Sequence, residues 1–277
     1  MEPVTFSDIV RAFSLTLFAG LATGVGSVMA FFIKKRKTWF LSFGLGFSAG
    51  VMIYVSFVEI FHKAEESLSA TALGEQWAGW ATLAALLGGV VITALIDRFI
   101  PEDVNPHDVR SEESMQPLKK GTDDGQMART LSRTGLFTAL AIGIHNFPEG
   151  LATFAAALKE PALGVSIAVA IAIHNIPEGI SVSLPIYYAT GKRSKAFIYS
   201  FLSGIAEPVG ALVGYFLLRV FFTDIVFGLL FGAVAGIMIY ISFDEMLPTA
   251  REYGKSHTVI MGFTMGMAVM GSSLLIM

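Results

Sequence analysis

Cysteine is absent from all 277 residues, which excludes disulfides and thiolate metal ligands and leaves the redox compartment unread. Charge is scarce too. Asp, Glu, Lys and Arg make up 15% of the chain and net charge is −3; soluble domains carry roughly 25% charged residues. The few basic residues sit in short loops and form no stripe, so a nucleic-acid partner is not expected. The first residues include Glu2 and Asp8, with no basic n-region and no clear small-residue cleavage site, and read as a spanning helix in place of a removed leader. No His-Glu-x-x-His pattern occurs. Apolar residues fill the chain instead: they account for 54% of it, and the mean hydropathy is +0.66. This is the composition of a membrane protein.

Apolar runs of bilayer length predict eight transmembrane helices near 8–33, 39–61, 78–99, 131–158, 162–189, 196–222, 225–247 and 257–277, in one domain spanning 1–277. The expected class is therefore an all-α polytopic protein. One connection is long: 101–130 is rich in Asp, Glu, Lys, Gly and Pro and is expected to be mobile. With the N-terminus outside, inner loops collect Lys34, Lys35, Arg36 and Lys37, then Arg98, Arg110, Lys119, Lys120, Arg129 and Arg133. They also hold Lys192, Arg193, Lys195, Arg251 and Lys255, in all 15 of 19 basic residues. The outer side keeps Arg11, Lys63, Lys159 and Arg219. With the long loop discounted, the short loops alone still divide 9 against 4, which places both termini outside the cytoplasm.

Two copies of one hexapeptide lie within apolar runs, His145-Asn146-Phe147-Pro148-Glu149-Gly150 and His174-Asn175-Ile176-Pro177-Glu178-Gly179. Histidine and glutamate four residues apart project from one helix face. The intervening proline has no N–H and clashes with the carbonyl four residues back, freeing those of Ile144 and Ile173. Ionisable groups at bilayer depth are costly and usually mark a pathway or a site. Imidazole with carboxylate suits zinc and its first-row neighbours. Glu207-Pro208 adds a third acid inside a predicted helix. Three carboxylates converging at the midplane would repel one another without a compensating cation.

A second repeat joins distant parts of the chain. Gly46 to Glu59 aligns without a gap on Gly232 to Glu245, and the two stretches fall in the second and seventh predicted helices. An odd number of crossings separates them, so they run in opposite directions. Helices 1–3 and 6–8 then form an inverted repeat around the antiparallel fourth and fifth, the 3+2+3 plan with proline-broken midplane helices found in secondary transporters.

The paired His-Asn-x-Pro-Glu-Gly motifs, Glu207-Pro208 and the eight-helix plan resemble the ZIP family of divalent-metal transporters, in particular its bacterial zinc-importer branch, over essentially the whole chain. The resemblance implies zinc import across the cytoplasmic membrane by alternating access, with a two-metal site between helices 4, 5 and 6. Carried over, the primary position would use His145, Glu149, His174 and Glu178. The second would use Asn146, Asn175 and Glu207, with Glu149 and Glu178 bridging. Met52 lies where some relatives contribute a thioether. The long loop holds only His107, where many relatives have a histidine-rich loop, so metal buffering there is not expected. The metal is cargo; no cofactor is implied, and a homodimer is left open.

Plainer readings compete at several positions. A single intramembrane His–Glu pair is often only a structural hydrogen bond; two copies with Glu207 argue otherwise. Glu59, His62, Asp97, Asp244 and Glu245 fall near predicted helix ends and read as interfacial anchors, with entrance or exit roles open to them. Met52 and Met238 can be packing residues. Glycines such as Gly46, Gly50, Gly232 and Gly236 are close-packing positions. An intramembrane metalloenzyme is the alternative function, and a haem carrier ligated by His145 and His174 a third. Zinc's neighbours Fe2+, Mn2+, Co2+ and Cd2+ suit the same ligands.

The topology is testable in this cysteine-free background. Single cysteines placed at 34–37 and 192–195 are expected to resist an impermeant thiol reagent in intact cells and to react after permeabilisation. Labelling of either segment in intact cells would reverse the assignment.

Overall fold

The computed structural model describes residues 5–32, 38–98, 143–144, 146–218 and 223–276. The long connection at 101–130 and His145 lie outside them. Every extended element among the described residues is helical. Helix α1 spans Phe6–Ala30 and α2 spans Thr38–Val55; α2 passes through a π-helical turn at Ser56–Ile60 into α3, Phe61–Ser69. Helix α4 is Gly74–Arg98, α5 covers 146–159, α6 is Pro161–Thr190 and α7 is Arg193–Leu218. Helix α8 spans Asp224–Ile241, continues through a second π turn, Ser242–Met246, into α9, Leu247–Tyr253, and is followed by α10, Ser256–Ile276. Seven spans among the described residues are long and apolar enough to cross a membrane. The fourth expected span, 131–158, is described only in its second half, which is helical.

Local chemistry sets several of these ends. Thr5 caps α1 through a reciprocal pair: its Oγ1 accepts from Asp8 N, and its own N–H donates to Asp8 Oδ2 at 3.0 Å. Pro161 starts α6, where a missing N–H costs nothing. Gly191 ends it at φ 65, a left-handed conformation that favours glycine.

The second and seventh spans run further than hydropathy indicates. The apolar run ends near Glu59, yet helix continues to Ser69, because Ala64, Ser67 and Leu68 form a buried stripe on an otherwise polar α3. Likewise α9 carries the seventh span to Tyr253. Glu59 and Glu245 therefore lie inside π turns within these spans, not at helix ends, and Glu245 is buried.

Helices pair by backbone approach at glycine. A Cβ added at Gly26 of α1 would stand 2.0 Å from the carbonyl oxygen of Ile176 in α6, and one at Gly179 would stand 2.0 Å from Thr23 O. The α5–α7 contact has the same design: a Cβ at Gly150 would run into Glu207 O, and one at Gly210 into Phe147 O. The two sets correspond residue by residue. Gly26 and Thr23 of α1 match Gly210 and Glu207 of α7 at one constant spacing, and Ile176 and Gly179 match Phe147 and Gly150 of the other hexapeptide. Gly20 and Gly204, which stand at that same spacing, face each other's carbonyls where α1 crosses α7. Gly50 against Phe263 O and Gly236 against Leu86 O join α2 to α10 and α8 to α4. The π turn at Ser56–Ile60 stands to the one at Ser242–Met246 as Gly50 stands to Gly236, in register along the second repeat. Helix α2 also packs on α6.

At one end Lys159, the last residue of α5, donates to Ser67 Oγ at 2.6 Å and pairs with Asp224 Oδ1 at 3.1 Å. It ties the α5–α6 turn to α3 and the start of α8.

Because glycine at 236 is set against backbone, Gly236→Ala should destabilise the protein by about 1–3 kcal/mol through overpacking. Gly88, with nothing within 4 Å of an added Cβ, should accept alanine without loss. Thermal unfolding of both variants in detergent decides it, and equal stabilities would refute the backbone-contact account.

Candidate metal centre

The acids and amides singled out in the sequence are brought into one buried interior by α5, α6 and α7. Asn146, His174, Asn175 and Glu207 are fully buried, and Glu149 and Glu178 are 1% exposed. Neither Pro177 nor Pro208 interrupts its helix; α6 and α7 stay helical through them, so the expected proline-broken helices are continuous ones. Pro177 still leaves the Ile173 carbonyl without its helical donor. One residue on, the His174 carbonyl receives Ser48 Oγ of α2 at 3.2 Å.

His174 Nε2 lies 3.3 Å from Glu149 Oε2, so the histidine of one hexapeptide meets the glutamate of the other. Asn175 Nδ2 donates to two acceptors, the Ala19 carbonyl of α1 at 2.9 Å and Glu207 Oε1. Asn146 Nδ2 donates to the Ser203 carbonyl of α7 at 3.3 Å. The two asparagines thus make equivalent contacts, since Ala19 and Ser203 each immediately precede the matched glycines Gly20 and Gly204, and both asparagines hold the second place of their hexapeptides. Both amides turn their N–H groups toward backbone, which leaves their oxygens for the interior. Among the described residues Asn146 Oδ1, Asn175 Oδ1, Glu149 Oε1 and Glu207 Oε2 have no hydrogen-bond partner. Buried oxygens are seldom left so. Four lone-pair acceptors in one interior are chemistry that a cation satisfies and an apolar or anionic ligand does not.

Helical spacing explains why these side chains converge. Asn146 and Glu149 are three apart on α5, as are Asn175 and Glu178 on α6, so each amide and acid share a face. The glycine after each glutamate brings the neighbouring backbone in: Gly150 admits α7 at Glu207, and Gly179 admits α1 at Thr23.

His145 lies outside the described residues, and no three His, Asp or Glu side chains among the described ones are gathered closely enough to hold an ion together. Met52 is fully buried in the main apolar cluster with Ala49, Ile171 and Met238, one helical turn beyond Ser48. The residues missed from sequence are neutral: Ser48, the Ala19 and Ser203 carbonyls, Thr23, and the glycines closing each hexapeptide. Backbone acceptors carry no sequence signal. The glycines did carry one, in their fixed place after each glutamate.

The bundle and this polar interior define a multi-pass helical membrane protein. The family described as ZIP Zinc transporter matches residues 101–273. A "Zinc transporter ZupT" of Nitratidesulfovibrio vulgaris is 60% identical over 271 residues, covering 97% of this chain and 98% of the relative. Proteins of the same description from Clostridium perfringens and Streptococcus mutans are 56% identical over 277 residues and 53% over 270. These cover 98% and 97% of this chain, and 97% and 98% of those relatives. The chain belongs to the ZIP family. That membership sets aside the metalloenzyme and haem-carrier readings.

Asn175 holds two buried acceptors and Asn146 one. Asn175→Ala should therefore lower metal-free stability by roughly 0.5–1.5 kcal/mol for each hydrogen bond removed, more than Asn146→Ala does. Detergent unfolding curves in the presence of a chelator measure this. A larger loss for Asn146→Ala would overturn the assigned contacts.

Proposed function

We propose that this protein imports Zn2+ across the cytoplasmic membrane by alternating access, through a two-metal position at the midplane of the bundle. The reading is carried by one observation: acids and amides from three helices turn unpartnered oxygens into a single buried interior where His174 meets Glu149. Family membership and relatives described as zinc transporters supply zinc as the cargo.

His145, Glu149, His174 and Glu178 form the primary position in this reading. Asn146, Asn175 and Glu207 form the second, with Glu149 and Glu178 shared. A nitrogen-rich position next to an oxygen-rich one favours Zn2+ in the first and tolerates harder ions in the second. If all three carboxylates are ionised, one divalent ion leaves the cluster near −1 and two leave it near +1. Filling the second position therefore weakens the hold on the first, and release is helped. Met52 is a candidate thioether neighbour through Ser48, which touches the His174 carbonyl one turn away. Fe2+, Mn2+, Co2+ and Cd2+ are further cargo the ligand set accommodates. Both termini face outward, and the described helices with 101–130 belong to one domain. The arrangement is the 3+2+3 plan, supported by glycine contacts that recur in register between α1 and α7 and between α2 and α8.

Glu149→Ala and Glu178→Ala should each abolish Zn2+ uptake into proteoliposomes while the protein still inserts and elutes as one species, because a divalent ion in a low-dielectric interior cannot lose a shared anionic ligand. His145→Ala should lose Zn2+ uptake severely and Mn2+ uptake less. Glu207→Gln should keep partial uptake with altered metal preference. Near wild-type transport by either glutamate variant would sink the shared-ligand reading, and identical losses of both metals in the other two would merge the positions into one.

A further inference from the structure

Helix α1 contributes no carboxylate, histidine or amide to the interior just described, yet it crosses α7 at that level. The crossing is formed by Gly20 and Gly204, each set against the other's carbonyl. Three residues beyond Gly204 is Glu207; three beyond Gly20 is Thr23. The contacts of the two residues match. Gly150 of one hexapeptide makes room for Glu207 O, and Gly179 of the other makes room for Thr23 O. A Cβ added at Gly20 would lie 3.4 Å from Glu207 Cβ, and one at Gly204 would lie 3.0 Å from Thr23 Oγ1. Both side chains thus flank one crossing point, a carboxylate on one side and a hydroxyl on the other.

The hydroxyl of Thr23 also behaves unlike its peers. Thr16, Thr82, Thr93 and Thr153 each donate to the carbonyl four residues back. For Thr23 that carbonyl belongs to Ala19, and it already accepts from Asn175 Nδ2 at 2.9 Å. Thr23 is fully buried, and its Oγ1 has no hydrogen-bond partner among the described residues. The amide that corresponds to Asn175 is Asn146, whose Oδ1 is equally without one. Asn175 meets the Glu207 carboxylate, and the correspondence that matches Asn175 with Asn146 matches Glu207 with Thr23, although no hydrogen bond joins Thr23 Oγ1 to Asn146.

We infer that Thr23 is a neutral oxygen ligand of the second metal position, opposite Glu207, and that it sets which divalent ions that position accepts. The inference rests on the two-position reading above. A carboxylate at this place would add a fourth negative charge to the cluster; a hydroxyl completes an oxygen shell without adding charge. Hard ions that need many oxygens gain most from it, and Zn2+, satisfied with four ligands, gains least.

Proteoliposome uptake of Mn2+ and Zn2+, alone and in competition, tests this with the full chain. Thr23→Val keeps the shape and removes the oxygen, and should lower the Mn2+ to Zn2+ uptake ratio roughly fivefold, the worth of one polar contact. Thr23→Ser should restore it. Thr23→Cys, in a chain without other cysteines, should shift preference toward Cd2+ and give a cadmium–thiolate ultraviolet band when Cd2+ is added to purified protein. An unchanged ratio in Thr23→Val with a shifted one in Glu207→Gln removes Thr23 from the site and leaves the second position standing. Unchanged ratios in both remove the second position itself. Equal loss of both metals in the valine and serine variants, or no thiolate band in the cysteine variant, overturns the assignment in favour of a packing role.

Discussion

Inside a bilayer, helices gain little by hiding apolar side chains from one another, because lipid tails are as apolar as leucine. Association has to come from close backbone contact and from polar groups with nowhere else to go. This chain uses both at the same places. The glycines that end the hexapeptides admit the α1 and α7 backbones, and those helices deliver the carbonyls of Ala19 and Ser203 to the asparagine amides. Without the glycines the carbonyls could not reach, and without the carbonyls the amide N–H groups would compete for the carboxylates. Distance between helices and orientation of the amides are therefore one constraint, and the character of the interior follows from it.

The consequence for electrostatics is a division of labour. Amide hydrogens are consumed by backbone on the periphery, except that Asn175 also reaches Glu207. What is left pointing inward is oxygen. His174 meets a glutamate borne by a different helix, so the centre is shared between helices and is not a property of either motif alone. A shell of backbone carbonyls and amides adds no further charge to the three acids gathered there.

Much of the fold was legible because bilayer-length apolar runs are a strong signal. The helix spacing of His, Asn and Glu made the common face of each hexapeptide legible as well. Three features were not. The continuation of α3 past Glu59 depends on Ala64, Ser67 and Leu68 packing against another part of the chain, which hydropathy does not register. The continuity of α6 through Pro177 was not legible because one lost main-chain bond is a local cost that the rest of a 30-residue helix can absorb. Thr23 stood unremarked because a lone threonine in an apolar helix normally bonds its own backbone; only the capture of the Ala19 carbonyl by Asn175 sets it apart.

The paired π turns at Ser56–Ile60 and Ser242–Met246 have a geometric meaning of their own. Each accommodates one residue more than an α-helical turn, which rotates everything beyond it by about 100° relative to a regular helix. The face that α2 shows to α6 and α10 is thereby uncoupled from the face that α3 shows to α4 and α8. One continuous rod can then serve two sets of neighbours with separately chosen stripes, as if two shorter helices had been joined end to end with an adjustable collar.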